Sequence, residues 1–570
     1  MKSGSWMVAA GAALACQVAL ADLPDVLDRV PADATVVFVV PNLGELAGDI
    51  ARLETMFGEE IEGGPIDIFE QVMSLESVDA ARGGAMFIPA MPGGFDPADG
   101  DPPQVVLLPV NDFAGFIGAM GGTPGEGIVS LDIDGTTAFA RDVGAGYAAI
   151  GPVREAVESY TPAGGARAAH TARLGAVASQ RAGESDVFVC VDVNSFQDQI
   201  RQTMQQISGG LMAMAMQTGH DVGPQMAMVE ALRDRIIGDG QVAFLAFDLG
   251  ESGFGVDAGM QFKEGSDTAV LLRDPGDASR LIARLPDKPF LFAAAVDASS
   301  PSARELAMAM SGFQKMGIPG LNPNELNTKG TAMLLGEIPG GLMSGMLLGA
   351  STIYFDTDDS AALAAQMKSS IEAINGQTVE GVAYTTSYEA GAGSVDGVSL
   401  DGYSVQMDAG DAMNMQMKSM MQMFFGAGNN GPAGFVAKAD KGVVVTMAKN
   451  STLAGEAIKA ANGADGLGAN ASIKSVAAEL PSGRTAEVYL GVGKLAEMAF
   501  SVMAMQMGPV DIEIPEDLAP VGIGVASQQG GVDIRLFAPT SVLELVQSIN
   551  EAMNANQAPG PPEEGSGPRF

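Results

Sequence analysis

The most abundant chemically distinctive group in this 570-residue chain is thioether sulfur, with 34 methionines. They gather as Met212-Ala-Met-Ala-Met216, Met226-Ala-Met228, Met308-Ala-Met310, Met413-Asn-Met-Gln-Met417 with Met420, Met421 and Met423, and Met503-Ala-Met-Gln-Met507. Soft thioethers at M-x-M spacing could hold Cu(I). A flexible methionine surface could instead accept a hydrophobic ligand or a partner segment, because the side chain repacks at small cost. The third reading is helix packing: Met413, Met417, Met420, Met421 and Phe424 fall on one helical face. On a helix, M-x-M neighbours diverge by about 200°, which sets them poorly for a single ion. Packing is therefore preferred. An apolar groove at Met413, Met417, Met420, Met421, Met503 and Met505 comes second and copper third, so no catalytic residue, metal ligand or cofactor is assigned.

Other chemistries have less to build on. His170 and His220 are the only histidines, both in polar, loop-like surroundings, which leaves no basis for a Ser-His-Asp triad or a two-histidine zinc site. Gly250-Glu-Ser252-Gly-Phe254 has its second glycine one place early for a nucleophile elbow, and neither a P-loop nor H-E-x-x-H occurs. Asp96, Asp99 and Asp101, and Asp356, Asp358 and Asp359, offer clustered hard oxygens without the twelve-residue calcium loop and its distal glutamate. Acidic turns are the ordinary reading in so negative a chain. Two carboxylates would suffice for an acid-dependent hydrolase, but sugar clefts favour aromatic platforms. The only tryptophan, Trp6, lies in the leader described next.

Location follows from the first residues. Lys2, the apolar run Trp6–Ala15 and Ala19-Leu20-Ala21 before Asp22 form a secretory signal peptide over residues 1–21, with a core too short to span a bilayer. The mature chain is then expected in the periplasm or outside the cell. Its one cysteine, Cys190, lies in the apolar run Val187–Val191, so no intramolecular disulfide can form. In that setting a thiol reads as a small buried hydrophobe. The net charge is −38, or −39 once Lys2 leaves with the leader. Nucleic acid and anionic membranes are therefore poor partners. Hydrophobic content of 47% argues for a packed core, and no later apolar run is long enough for a stable membrane span.

The organising element is Pro31-Ala-Asp33, the strand Ala34–Val40, and Pro41-Asn42 before the amphipathic run Leu43–Leu53. Leu43, Leu46, Ile50 and Leu53 recur at helical spacing, and Asn42 with Glu45 predicts a capping box. Asn111-Asp112 predicts a second helix start, and Asp134-Gly135 a hairpin. The second half repeats this order. Phe139 and Gly146 answer Phe435 and Gly442 at an offset of 296, and Gly255-Val-Asp257 answers Gly531-Val-Asp533 at 276. Val187–Val193 answers Glu487–Gly493 at 300, Gln104–Val110 answers Ser351–Thr357, and Ala34–Val40 answers Phe290–Val296. A collinear series points to duplication.

The expected fold is α+β: two tandem related modules of antiparallel or mixed sheet with helices packed on one face. The first module is placed at 22–285 and the second at 286–556, followed by a Pro/Gly-rich disordered tail at 557–570. The segment V-P-A-D-A-T-V-V-F-V-V at Val30–Val40, just after a signal peptide, resembles the opening of an exported bacterial family of unknown function. That resemblance implies export and similar architecture and brings no catalytic residues. The expected function is an exported, acidic, non-enzymatic scaffold or binding module with an envelope or extracellular partner. The alternative is a carrier of a hydrophobic ligand or lipid in a Met/Ala-lined groove, with the acid-dependent hydrolase third.

Overall fold

In a computed structural model, residues 23–557 are described except 58–64, 91–101, 126, 134, 219–221, 302, 305–325, 338–346, 380–381, 409–422, 427–429, 465, 508–511, 513 and 516. The segment expected to be a leader, residues 558–570 of the expected tail, and residues 91–101 with Asp96, Asp99 and Asp101 lie outside the described residues. The chain is α+β and divides into two compact units. The first holds residues up to Gly250, Gly255–Arg273 and Gln528–Ile534; the second holds Glu251–Phe254, Asp274–Ser527 and the chain from Arg535.

The first unit contains β1 (Val36–Val40), β2 (Gly84–Ile88), β3 (Val105–Pro109), β4 (Val129–Ile133), β5 (Thr136–Asp142), β6 (Tyr147–Gly151), β7 (Val187–Asp192), β8 (Gly240–Asp248) and β9 (Gly253–Phe262, of which Gly255 onward belongs here). They form an antiparallel sheet in the order β4-β5-β6-β3-β2-β1-β7-β8-β9. The expected turn joins β4 to β5, where Gly135 takes φ +81° and donates its N–H to Asp132.

Helices cover both faces of this sheet, which corrects the expectation of one covered face. Val37, Val39, Ala85, Phe87 and Leu107 bury with helix Arg167–Glu184 and the short turn Asp25–Asp28. Their alternates Val40, Leu108 and Ala148 bury with helices Leu43–Phe57 and Phe113–Ala119. A strand covered on both sides reads as an unbroken apolar run. Val36-Val-Phe-Val-Val40 is such a run, and its lack of polar alternation is the signal that sequence reasoning passed over.

At both predicted helix starts the expected side chain accepts backbone N–H groups. The Asn42 Oδ1 accepts the N–H groups of Gly44 and Glu45 at 3.1 and 3.2 Å, and Leu43 and Leu46 are buried. Asp112 caps Phe113–Ala119 by accepting from Ala114 at 3.1 Å.

The second unit contains β10 (Phe290–Asp297), β11 (Gly330–Gly336), β12 (Ser351–Asp356), β13 (Thr378–Val379), β14 (Val382–Val395), β15 (Val398–Asp408), β16 (Ala433–Ala439), β17 (Gly442–Thr446), β18 (Arg484–Leu490), β19 (Val521–Gln528) and β20 (Gly531–Pro539, of which Arg535 onward belongs here). The strand order is β13-β14-β15-β16-β17-β12-β11-β10-β18-β19-β20. From β15 onward this is the order of the first unit, strand for strand. Both faces are again covered. Tyr354 and Val444 bury with helices Ser451–Ala461 and Ala471–Glu479, while Phe355, Val443 and Val445 bury with helix Ser360–Ala373. Asp274–Leu285, assigned to the first module from sequence, packs in this second core through Ala278, Leu281, Ile282 and Leu285.

Candidate functional site

Within the described residues, the chemically capable side chains can be followed to their places in the fold. Cys190 is buried in β7, opposite Val37 and Phe244. Burial pushes its thiol up to about 11, so it stays protonated and is a poor nucleophile. His170 is buried in helix Arg167–Glu184 with Nε2 3.0 Å from the Val30 carbonyl. Burial lowers its pKa, against the Val30 contact, and the imidazole serves as a neutral interior hydrogen-bonding group. His220 lies outside the described residues.

The carboxylates singled out around Asp356 have protein partners. Asp356 receives Arg280 Nη1 at 2.5 Å, Asp358 pairs with Lys329, and Asp359 caps helix Ser360–Ala373 by accepting from Ala362 at 2.9 Å. Their chemistry is used in holding the chain. Among the described residues no group of three or more His, Cys, Asp or Glu side chains could hold a metal ion.

Three buried or partly buried arginine–carboxylate clusters were not legible in the sequence. In the first unit, Arg181 places Nε 3.0 Å from Asp257 and Nη2 2.9 Å from Asp533, two carboxylates from the strands matched at the 276 offset. In the second, Arg280 bridges Asp297 at 3.0 Å and Asp356. Burial raises the Asp297 carboxyl, but the N–H groups of Asp277 and Ser299 and the Arg280 charge outweigh it and hold the carboxyl below its usual range. Also in the second, Arg484 Nε lies 2.5 Å from Glu487, and its Nη2 donates to Ser279 at 2.7 Å. Burial pushes Glu487 up while Arg484 and Ser279 pull against it. Each carboxylate is committed to a guanidinium, the arrangement of an interior brace.

The methionines divide by environment. Met367 and Met447 are core residues of the second unit. Met413, Met417, Met420 and Met421 lie outside the described residues. Met503 and Met505 belong to helix Val492–Met507, but their side chains are likewise outside the description. The clusters of the first unit depart from the packing expectation. Met212, Met216 and Met228 are 48%, 80% and 45% exposed, on two helices in contact, Gln197–Thr218 and Gly223–Asp239. Ile207 and Leu232 on the same pair are also exposed. Among the described residues the longer helix packs chiefly on the shorter one. Gln202–His220 contains no charged side chain under neutral histidine, unusual for a chain carrying −38. Met226 is half-buried while Met228 is exposed, as the divergence of M-x-M neighbours requires. This helix pair is the candidate binding surface.

No protein-family model, curated protein or solved structure matches the chain. Among the described residues, no helix is long and apolar enough to cross a membrane.

Proposed function

We propose that this is an exported, acidic, non-enzymatic binding module made of two copies of one α+β unit, displaying an apolar helical arm to a partner in the envelope or outside the cell. The observation that carries this reading is the arm Gln197–Asp239, where Ile207, Met212, Met216, Met228 and Leu232 stay exposed. Uncovered apolar side chains on neighbouring helices mark surfaces for association, and methionine adapts its shape to what it meets. The shared strand order supports the duplication: β1, β2 and β3 correspond to β10, β11 and β12, and β7, β8 and β9 to β18, β19 and β20. Export rests on the leader at residues 1–21.

The test is titration of the full chain with the apolar fluorophore bis-ANS. Saturable binding is expected, lost in Met212→Glu/Met216→Glu while far-UV circular dichroism is unchanged. Equal binding by wild type and variant would remove the arm from the account. A native mass spectrum of protein taken from its own envelope fraction adds a second readout. Co-purifying lipid would move the reading from a protein partner towards a hydrophobic ligand.

A further inference from the structure

Two guanidiniums of the first unit stack on one buried ring. Arg29, just after the turn Asp25–Asp28, places Cζ 4.9 Å from the ring centroid of Tyr147, and Arg82, just before β2, places its Cζ at 4.2 Å. Tyr147 is buried at the start of β6 and donates its hydroxyl to Gly83 O at 3.2 Å, so the ring is fixed. Arg82 is held further by Nη1, which donates to the carbonyls of Ala145 and Gly146 at 3.1 and 3.3 Å. Gly146 makes room for it, since a Cβ there would lie 2.8 Å from Arg82 Nη1. Both arginines are half-buried.

Among the described residues neither guanidinium is paired with a carboxylate, and that of Arg29 donates to no protein group. The acids nearby in sequence are engaged otherwise. Asp25 and Asp28 pair with Arg167, and Asp79 meets the Arg82 N–H through its main-chain oxygen at 3.2 Å. Arg141 brings a third charge. It donates to Glu158 O at 2.9 Å and to Tyr160 O, while the Tyr160 hydroxyl donates to Arg29 O at 2.9 Å. The Arg141 Nε is buried without a hydrogen-bond partner among the described residues.

Arginines without counter-ions are unexpected in a chain of 69 acids and 31 bases. The second unit shows the ordinary answer: the ends of β10 and β12 supply Asp297 and Asp356 to Arg280. The corresponding strands of the first unit, β1 and β3, end in Val40 and Pro109 and supply none. A guanidinium fixed by stacking keeps an N–H fork that matches two oxygens of a phosphate. Repulsion from the remaining acids is screened beyond about 8 Å at physiological salt, so an arriving anion meets chiefly the local charges.

We propose that Arg29 and Arg82 form a site for an external phosphate group, free or esterified, with Arg141 adding to the local positive field. The site does not depend on the methionine arm.

Isothermal titration calorimetry of the full chain with inorganic phosphate, at ionic strength held constant with chloride, should give saturable binding. Arg29→Gln should weaken it roughly tenfold or more. Arg201→Gln, which removes an arginine already paired with Asp198, should leave it unchanged. Phosphate should raise the melting temperature of the wild type and not that of Arg29→Gln. An arginine that only braced Tyr147 would lower stability without that phosphate dependence. Vesicles carrying phosphatidic acid separate a lipid-borne phosphate from a free one, and binding of either through Arg29 supports the site. No binding of either, or equal binding by wild type and Arg29→Gln, would overturn the proposal. Should Arg29→Gln fail to fold, arginine side-chain nitrogen NMR of the wild type decides. The Arg29 and Arg82 Nε–H signals should shift as phosphate is added, and their constancy removes the site.

Discussion

The middle strands of the two units solve the same packing problem with opposite side chains. When Ala34–Val40 is set against Phe290–Val296, the pairing registers bring Cys190 of β7 to the place of Tyr489 in β18, and Phe188 to the place of Glu487. In the first unit a small central Cys190 sits between the larger Val37 and Phe244. In the second a large central Tyr489 sits between Ala293 and Gly522. A Cβ at Gly522 would come within 2.4 Å of Val476 Cγ1, so that space is filled. Close-packed interiors conserve summed volume across neighbours better than residue identity at any one place. The next pair is sharper. Phe188 is buried and stacks on Phe244, whereas Glu487 is equally buried and answered by Arg484 and Ser279. One site accepts a hydrocarbon or an ion, provided every partner of the ion is present.

The largest expected effect would break one side of this comparison outright. Leu46→Asp sets an unpaired charge in the core beneath the first sheet, at a cost of about 4–5 kcal/mol. Hydrogen exchange should show protection lost from β1 to β9; wild-type protection would refute the packing of helix Leu43–Phe57 on that sheet. Next, Arg484→Ala leaves the Glu487 carboxylate buried without its counter-ion, which costs about 3–5 kcal/mol by denaturant unfolding. The double change Arg484→Met/Glu487→Leu gives β18 an apolar answer like that of β7 and should recover most of the loss. Continued instability in the double variant would mean that the position is not equivalent to Phe188.

The volume argument predicts an unequal pair. Tyr489→Ala should cost about 3–4 kcal/mol, since its small neighbours cannot close the space, whereas Cys190→Ala should cost about 1 kcal/mol. Similar losses would disprove the compensation. Cys190 should also resist DTNB at pH 8 in the native protein and react on unfolding, because burial keeps its thiol protonated. The smallest effect is expected on the arm. Met216→Glu should change stability by less than about 0.5 kcal/mol, since Met216 is 80% exposed, while weakening apolar-probe binding. A large destabilisation would show that Met216 has a packing role.

Much of the framework was legible because its signals are local. Asn42 and Asp112 announced helix starts, and each caps its helix through its own side chain. The collinear echoes led to two units with a common strand order. The 300 offset between Val187–Val193 and Glu487–Gly493 is one residue long, however, because the registers pair Phe188 with Val39 and Glu487 with Ala295. With a period of two, a one-residue slip exchanges buried and outward positions. Local similarity could not detect this, since Val187-Phe-Val-Cys-Val191 is apolar at every place. The candidate surface was only half legible: methionine density pointed to it, but density does not distinguish the buried Met367 from the exposed Met216.

The sequence by itself determined what short-range chemistry can state: a strongly acidic chain, capped helices, turn-bounded strands and a collinear series of echoes between its halves. Tertiary structure decided everything that depends on residues far apart in the chain. It covered both faces of each sheet, brought Arg181 to Asp257 and Asp533, set Ser279 against Arg484 and Glu487, and left Met212, Met216 and Met228 exposed. The physical reason is that burial belongs to a site and its neighbours, and long-range neighbours are fixed only once the strands have paired.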